Sequence, residues 1–344
     1  PSQEYTQNLL AAVPVLGART TDRYVSTTKD VQEDPILSIN NLSIRFPIRT
    51  HFWSKVRKEV LAVDRVSLQI AKGRTLGLVG ESGCGKSTIS KAIVGLVQAS
   101  SGSITIDGLE INTSSTKQPL EVRRNTQIIF QDPSAALSPR RTAFAQIAEP
   151  LIIHKYGTAS EIRDRVEWLL NKVGLNNEHL ERHPHEFSGG QKQRLCIARA
   201  LALNPKVVIA DEPVSALDVS IQANVLDLMR QIQSELKITY LFISHDMAVI
   251  EEMSDEIGVM FMGRIVEYGD RESVLDNPTH PYTQNLLRAV PVPDPNVKFE
   301  PPSFYDEGRF EPIVLAGSQA HVPVQYNQVS ERHFVAVGEG LNNA

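Results

Sequence analysis

Residues Gly80-Glu81-Ser82-Gly83-Cys84-Gly85-Lys86-Ser87-Thr88 fit the pattern G-x-x-x-x-G-K-[ST]. Each residue type in that pattern has work to do at an anion. The glycines let backbone N–H groups turn inward, and a helix that starts at the end of the loop adds partial positive charge. Lys86 can reach the outer phosphates of a nucleotide, and the Ser87 hydroxyl can ligate Mg2+. Gly80, Ser82, Gly83, Cys84, Gly85, Lys86, Ser87 and Thr88 are thus the expected phosphate-binding residues. Downstream, the apolar run Lys206-Val-Val-Ile-Ala-Asp-Glu-Pro213 closes on two acids. Asp211 is expected beside Mg2+, directly or through water. Glu212 follows at once and can accept the proton of an attacking water. A third stretch, Phe187-Ser-Gly-Gly-Gln-Lys-Gln-Arg194, sets a hydroxyl and two glycines at a helix start, which makes a second anion cradle. One chain does not need two cradles for one triphosphate.

These residues need strands and helices to hold them. Arg74–Val79 is a short apolar run that reads as a buried strand entering the loop. After the loop, Ile89, Ile93, Val94 and Leu96 fall at helical spacing. Ile36–Phe46 and Val60–Ile70 alternate like strands, and Ser103–Ile111 reads as a hairpin around Asp107-Gly108. Thr126–Phe130 is a short buried strand that ends in Gln131, and residues 132–203 read mostly as helix. The strand ending at Asp211 is followed by a helix over Val219–Leu236. A buried strand over Thr239–Ser244 comes next, then His245-Asp246 and a helix to about Met253. Glu256–Tyr268 reads as a hairpin through Met262-Gly263, and from Pro291 on prolines and isolated short strand-like runs suggest an extended tail. Buried strands alternating with helices predict an α/β fold with a mostly parallel sheet, flanked by an antiparallel β subdomain and a helical one.

The net charge of -5 argues against nucleic acid as the main partner, because phosphate-backbone binding wants a basic surface. The two cysteines, Cys84 and Cys196, lack C-x-x-C spacing, so no disulfide or zinc site and a reducing compartment are expected. No apolar run approaches the length of a membrane span, and no signal-peptide pattern opens the sequence. Pro1-Ser-Gln-Glu-Tyr-Thr-Gln-Asn-Leu-Leu-Ala-Ala-Val-Pro-Val15 recurs as Pro278-Thr-His-Pro-Tyr-Thr-Gln-Asn-Leu-Leu-Arg-Ala-Val-Pro-Val292, with 11 of 15 positions identical. Such spacing brackets a whole domain and reads as an internal repeat whose first unit is cut short. Gly17–Pro35 is polar and aperiodic, as a linker would be.

The stretch from Phe187 to Arg194 resembles the signature sequence of ATP-binding cassette (ABC) ATPases, with Phe187 in place of the usual leucine. The rest of that family's set is present in order. By resemblance, Gln131 is the glutamine that touches Mg2+ and senses the membrane partner. Ser215-Ala-Leu-Asp218 is the D-loop and His245 the switch histidine at the γ-phosphate. Phe46 is the candidate for stacking on adenine, with Phe52 and Trp53 as rivals. The resemblance runs from about Ile36 to the C-terminus. It implies Glu212, His245 and Gln131 in catalysis, Ser87, Gln131 and Asp211 around Mg2+, and ATP as the nucleotide. Ser188, Gly189, Gly190 and Gln191 would act in trans on ATP held by a partner cassette.

Asn277–Leu287 resembles the C-terminal region of the oligopeptide/dipeptide branch of bacterial importers, which also contains nickel and glutathione importers. His333-Phe-Val-Ala336 is similar to the short aromatic motif near their end. Some relatives carry a cysteine cluster for an iron–sulfur centre there. This tail has no cysteine, so none is expected.

The expected organisation is therefore the tail of a preceding cassette plus linker over 1–35, an ABC nucleotide-binding domain over 36–276 and an importer-type extension over 277–344. The expected partners are two transmembrane permease subunits, a second cassette, upstream in a tandem chain or as a separate copy, and indirectly a solute-binding protein. The expected location is the cytoplasmic face of the bacterial inner membrane. The weighed alternatives are a nickel or other small-solute importer ATPase, a soluble repair or translation cassette, and a cassette that binds ATP without hydrolysis. Intact Glu212 and His245 argue against the last.

Overall fold

Thr75–Val79, Val207–Asp211 and Thr239–Ser244 are each buried at every position, the pattern of strands covered on both faces. They are the middle of an eight-stranded sheet in a computed structural model that describes residues 34–48, 58–111, 113–290, 313–315 and 324–337, with Gln3, Leu16 and Gly17. In chain order the described strands are β1 (Leu37–Pro47), β2 (Lys58–Ile70), β3 (Thr75–Val79), β4 (Ser101–Ile106), β5 (Leu109–Ile111), β6 (Thr126–Ile129), β7 (Val207–Asp211), β8 (Thr239–Ser244), β9 (Glu256–Phe261), β10 (Arg264–Asp270), β11 (Ile313–Leu315), β12 (Gln325–Ser330) and β13 (His333–Val337). The helices are α1 (Lys86–Ile93), α2 (Leu120–Asn125), α3 (Pro133–Ala136), α4 (Ala143–Ile153), α5 (Ala159–Lys172), α6 (Gly189–Ala200), α7 (Val219–Leu236), α8 (Met247–Met253), α9 (Arg271–Asp276) and α10 (Pro281–Arg288).

The large sheet runs β12-β13-β10-β9-β3-β8-β7-β6, and β9, β3, β8, β7 and β6 are mutually parallel. Period-two alternation splits its side chains between two cores. Leu76, Leu78, Ile209, Leu241 and Ile243 face α1 (Ile89, Ile93) and the strands β1, β2 and β4 (Ile39, Val63, Ile104). Val208, Ala210, Tyr240 and Phe242 face α6, α7 and α8, and the same core continues into α4 and α5. The second sheet, β11-β2-β1-β4-β5, is antiparallel. Its hairpin turns at Asp107 (φ 52°) and Gly108 (φ 76°), and the β9–β10 hairpin turns at Met262-Gly263, both where the sequence predicts a turn. The region read as mostly helical resolves into α3 to α6. Its starts are capped by side chains: Thr142 for α4, and a reciprocal Thr158–Glu161 capping box for α5.

The tail differs from the extended run that its prolines suggest. β13 pairs with β10, β12 pairs with β13, and β11 pairs with β2, so described parts of 277–344 add strands to both sheets. Isolated strand-like runs carry no local sign of which edge they will find. Residues 1–2 and 4–15 of the repeat's first copy, most of the expected linker, Phe52 and Trp53 lie outside the described residues. At Gly17 the backbone N–H donates to Glu251 Oε2 at 2.8 Å. Among the described residues, no helix is long and apolar enough to cross a membrane.

Candidate functional site

The loop 80–88 joins β3 to α1 at the C-terminal end of the parallel strands, where open α/β sheets bind their ligands. Its glycines are needed for space as well as for backbone freedom. Gly80 (φ 154°) sits where a Cβ would lie 2.0 Å from the Met260 carbonyl oxygen, and Gly85 (φ 114°) where one would lie 2.4 Å from that of Ala62. The loop is thus wedged between the β9 end and β2, with Ser82 and Gly83 exposed at its tip. Gly85→Ala is expected to displace the loop and weaken nucleotide binding by at least about tenfold while costing about 1–3 kcal/mol of stability. ATP titration and thermal melting of the same sample check both, and unchanged affinity would refute the tight seat.

Lys86 is only 4% exposed. Its ammonium donates to the Gly80 oxygen at 2.6 Å and the Glu81 oxygen at 2.8 Å, with Cys84 Sγ at 3.6 Å. An ammonium has three donors, and the weak sulfur contact is the one that a phosphate oxygen can replace. Burial pushes the Cys84 thiol pKa up, against the pull of the neighbouring Lys86 charge. Ser87 Oγ donates to Asp211 Oδ1 at 2.9 Å, and Ser90 Oγ, one helical turn on, donates to Asp211 Oδ2 at 2.9 Å. Ser90 is fully buried and was not singled out by the sequence reading, although its i+3 spacing from Ser87 places it on the same helix face. Thr88 N–H donates to the Gly85 oxygen at 3.0 Å and closes the first turn of α1.

The serine hydroxyl and the carboxylate are hard oxygen donors, the kind Mg2+ takes together with substrate phosphates. Among the described residues no group of three or more His, Cys, Asp or Glu side chains could hold a metal by itself. A metal in this corner would therefore draw its remaining ligands from phosphate and water.

Glu212 follows Asp211 with φ 49°, a left-handed conformation that costs a non-glycine residue ~1–3 kcal/mol. Its N–H still donates to the Ile243 oxygen at 2.9 Å. Gln131 Nε2 donates to Glu212 Oε2 at 2.8 Å, and His245 Nδ1 lies 3.2 Å from the same oxygen. Oε1 has no hydrogen-bond partner among the described residues, so it can accept a proton from water. Gln131 is thus joined to Glu212, while Ser87 and Asp211 form the neighbouring pair. Phe46 is 39% exposed and pairs with Val60 near the end of β1. Val60 is two residues from Ala62, whose carbonyl oxygen would lie 2.4 Å from a Cβ on Gly85.

The second cradle lies elsewhere on the chain. Ser188 caps α6: its Oγ accepts from Gln191 N–H at 3.3 Å, and Gln191 Oε1 accepts from Ser188 N–H at 3.0 Å. Ser188 and Gly189 are exposed, and Gly190 is pressed against Ile221 of α7, 2.4 Å from where its Cβ would be. Asp218 caps α7, accepting from Ile221 N–H at 3.1 Å and Ser220 Oγ at 2.9 Å. Among the described residues no hydrogen bond joins Ser188–Gln191 to the loop 80–88. The structure therefore collects Lys86, Ser87, Asp211, Gln131, Glu212 and His245 at one end of the sheet and leaves the second cradle facing outward.

Residues 63–215 match the family model of the ABC transporter, and residues 266–303 match that of the oligopeptide/dipeptide transporter C-terminal region. The chain is 48% identical to the glutathione import ATP-binding protein GsiA of Pectobacterium atrosepticum, an alignment covering 98% of this chain and 57% of that protein. It is 49% identical to GsiA of Salmonella typhimurium over 86% of this chain and 50% of that protein. The chain thus spans about half the length of these curated relatives. Among solved structures, cbiO1 from Clostridium perfringens, titled as part of the ABC transporter complex cbiONQ, superposes with a TM-score of 0.60 at 28% identity, covering 71% of this chain and 92% of that one. The ATP-binding cassette MJ0796, a dimer in a post-hydrolysis state bound to ADP and Pi, gives a TM-score of 0.59 at 27% identity, covering 68% of this chain and 98% of that one. Signature, loop, sheet order and tail agree with one assignment: the chain belongs to the ABC transporter ATPases, in their oligopeptide/dipeptide branch.

Proposed function

We propose that the chain hydrolyses ATP to ADP and phosphate as the cassette of a bacterial importer for peptides such as glutathione. The observation that carries the chemistry is the joining of Glu212 to both Gln131 and His245 beside the Ser87–Asp211 pair. Lys86 and the loop amides bind the outer phosphates, and Phe46 stacks on the base. Mg2+, held by Ser87 and Asp211 with Gln131 close by, would neutralise charge on the transferring phosphoryl group. Gln131 and His245 fix one carboxylate oxygen of Glu212, and the other takes the proton of the attacking water. The solute class rests on the matched C-terminal region and on relatives named for glutathione import.

The exposed capping box at Ser188 supports a head-to-tail arrangement, in which this cradle closes on ATP bound by another cassette. The 11-of-15 repeat supports an upstream cassette within a tandem protein as that partner. Two permease subunits, one of them seated near Gln131, would carry the solute, and a solute-binding protein would deliver it. In that arrangement the chain would lie at the cytoplasmic face of the membrane. Ser188→Arg tests the arrangement. ATP affinity of the single chain is expected to stay within about twofold, while phosphate release in the assembled transporter falls by at least about tenfold. Loss of ATP binding by the single chain would mean that the cradle serves its own nucleotide.

A further inference from the structure

We propose that Tyr282, in the tail, is a positioning residue for the phosphate loop, so that ATP affinity depends on the docked tail; the inference rests on the ATP site proposed above. Tyr282 opens α10 and is 3% exposed, and it touches a loop residue, Glu81, that precedes it by 201 positions. Its hydroxyl accepts a hydrogen bond from the Glu81 N–H at 3.1 Å. The carbonyl of the same residue accepts from Lys86 Nζ at 2.8 Å. Tyr282, Glu81 and the Lys86 ammonium therefore form one chain of hydrogen bonds. Reorienting the Gly80–Glu81 peptide group would swing the carbonyl of Gly80, the other oxygen that holds this lysine. On its other side that stretch rests on the Met260 carbonyl, so the loop entry is braced from two directions.

The tyrosine is itself held firmly. Its ring packs on Phe261 at the end of β9, with centroids 4.2 Å apart and planes inclined at 44°. Its N–H donates to His280 Nδ1 at 3.2 Å, which caps α10. The turn before it is pinned by a fully buried carboxylate: Glu267 on β10 accepts from Thr279 N–H at 2.8 Å and His280 N–H at 3.2 Å. The same carboxylate lies 2.7 Å from Nε2 of buried His333 on β13. Both described parts of the tail that reach the large sheet are thus fastened to one side chain, and α10 extends from that anchor to the loop. The hydroxyl is what a packing role would not need: phenylalanine would fill the same seat against Phe261.

Tyr282→Phe in the full chain removes only the hydroxyl. Isothermal titration with ATP and Mg2+ is expected to show binding weakened by about three- to tenfold. Hydrogen exchange at the Glu81 amide should accelerate by a similar factor, with the melting temperature unchanged. In the assembled transporter, KM for ATP should rise while kcat at saturation stays within about twofold. A lower melting temperature with unchanged affinity would show that Tyr282 serves packing alone and would overturn the proposal. So would unchanged Glu81 exchange in a variant that binds ATP like the parent. If the parent itself fails to bind ATP, the function proposed above fails, and Glu81 exchange still decides whether Tyr282 braces the loop.

Discussion

Glu212→Gln is expected to abolish turnover and keep ATP. The glutamine has the same length and can occupy the same left-handed backbone position, and its side-chain oxygen can still accept from Gln131 Nε2. What disappears is the carboxylate oxygen that is proposed to take the water's proton. Loss of a general base typically lowers the rate ~10²–10⁴-fold. The ATP affinity should change little, because the hydrogen bonds of Glu212 run to Gln131, His245 and β8 rather than to the loop 80–88. If hydrolysis reopens the proposed head-to-tail pair, the variant should also accumulate as the closed, ATP-loaded assembly. Single-turnover phosphate release in the assembled transporter, run beside an ATP titration, separates the two effects. Equal hydrolysis rates in variant and parent would remove Glu212 from the mechanism.

Lys86→Ala should fail one step earlier. The buried ammonium holds the Gly80 and Glu81 carbonyls and, in the proposed site, would offer its remaining proton to phosphate. Its removal takes away a charge-assisted hydrogen bond to the ligand, a contact of about 1.5–3 kcal/mol, so the dissociation constant for ATP should rise roughly 10- to 100-fold. Two loop carbonyls also lose their donor, which loosens the cradle. The two variants are therefore told apart by titration: the glutamine variant keeps the affinity of the parent, and the alanine variant binds ATP more weakly. ATP affinity of the alanine variant equal to that of the parent would show that Lys86 does not face the phosphates.

The loop, the acids and the central strands were legible because their signals are local. Val207–Asp211 carries its burial in its composition, and the spacing from Gly80 to Ser87 carries its chemistry. Val219–Leu236 and Thr239–Ser244 have the limits their periodicity predicts. The resemblance groups Gln131 with Ser87 and Asp211 around Mg2+; its hydrogen bond to Glu212, 81 residues on, has no signal in the sequence. What stayed hidden depends on long-range contact. The tight seats of Gly80 and Gly85 are set by the carbonyls of Met260 and Ala62, which nothing in the loop announces. Tyr282 looks like any aromatic at a helix start, and only the fold brings it to Glu81. The tail strands were read as isolated because the edge partner of a short strand is chosen by what remains unpaired elsewhere.

Without residues 324–337, β10 would be the border of the large sheet. It presents a ladder of backbone groups and buried Ile265 and Val266, the sort of border along which separate molecules stick to one another. The β12–β13 hairpin replaces it with Gln325-Tyr-Asn-Gln-Val-Ser330, short, mostly polar and solvent-facing throughout. The tail thus puts a polar strand at the edge of the large sheet. It also leaves the ribosome after the other strands of its sheet, so every nascent copy carries a sticky border until residue 337 has emerged. A shortened gene ending near residue 276 would make that interval permanent, and its product would favour inclusion bodies whatever the integrity of its nucleotide site.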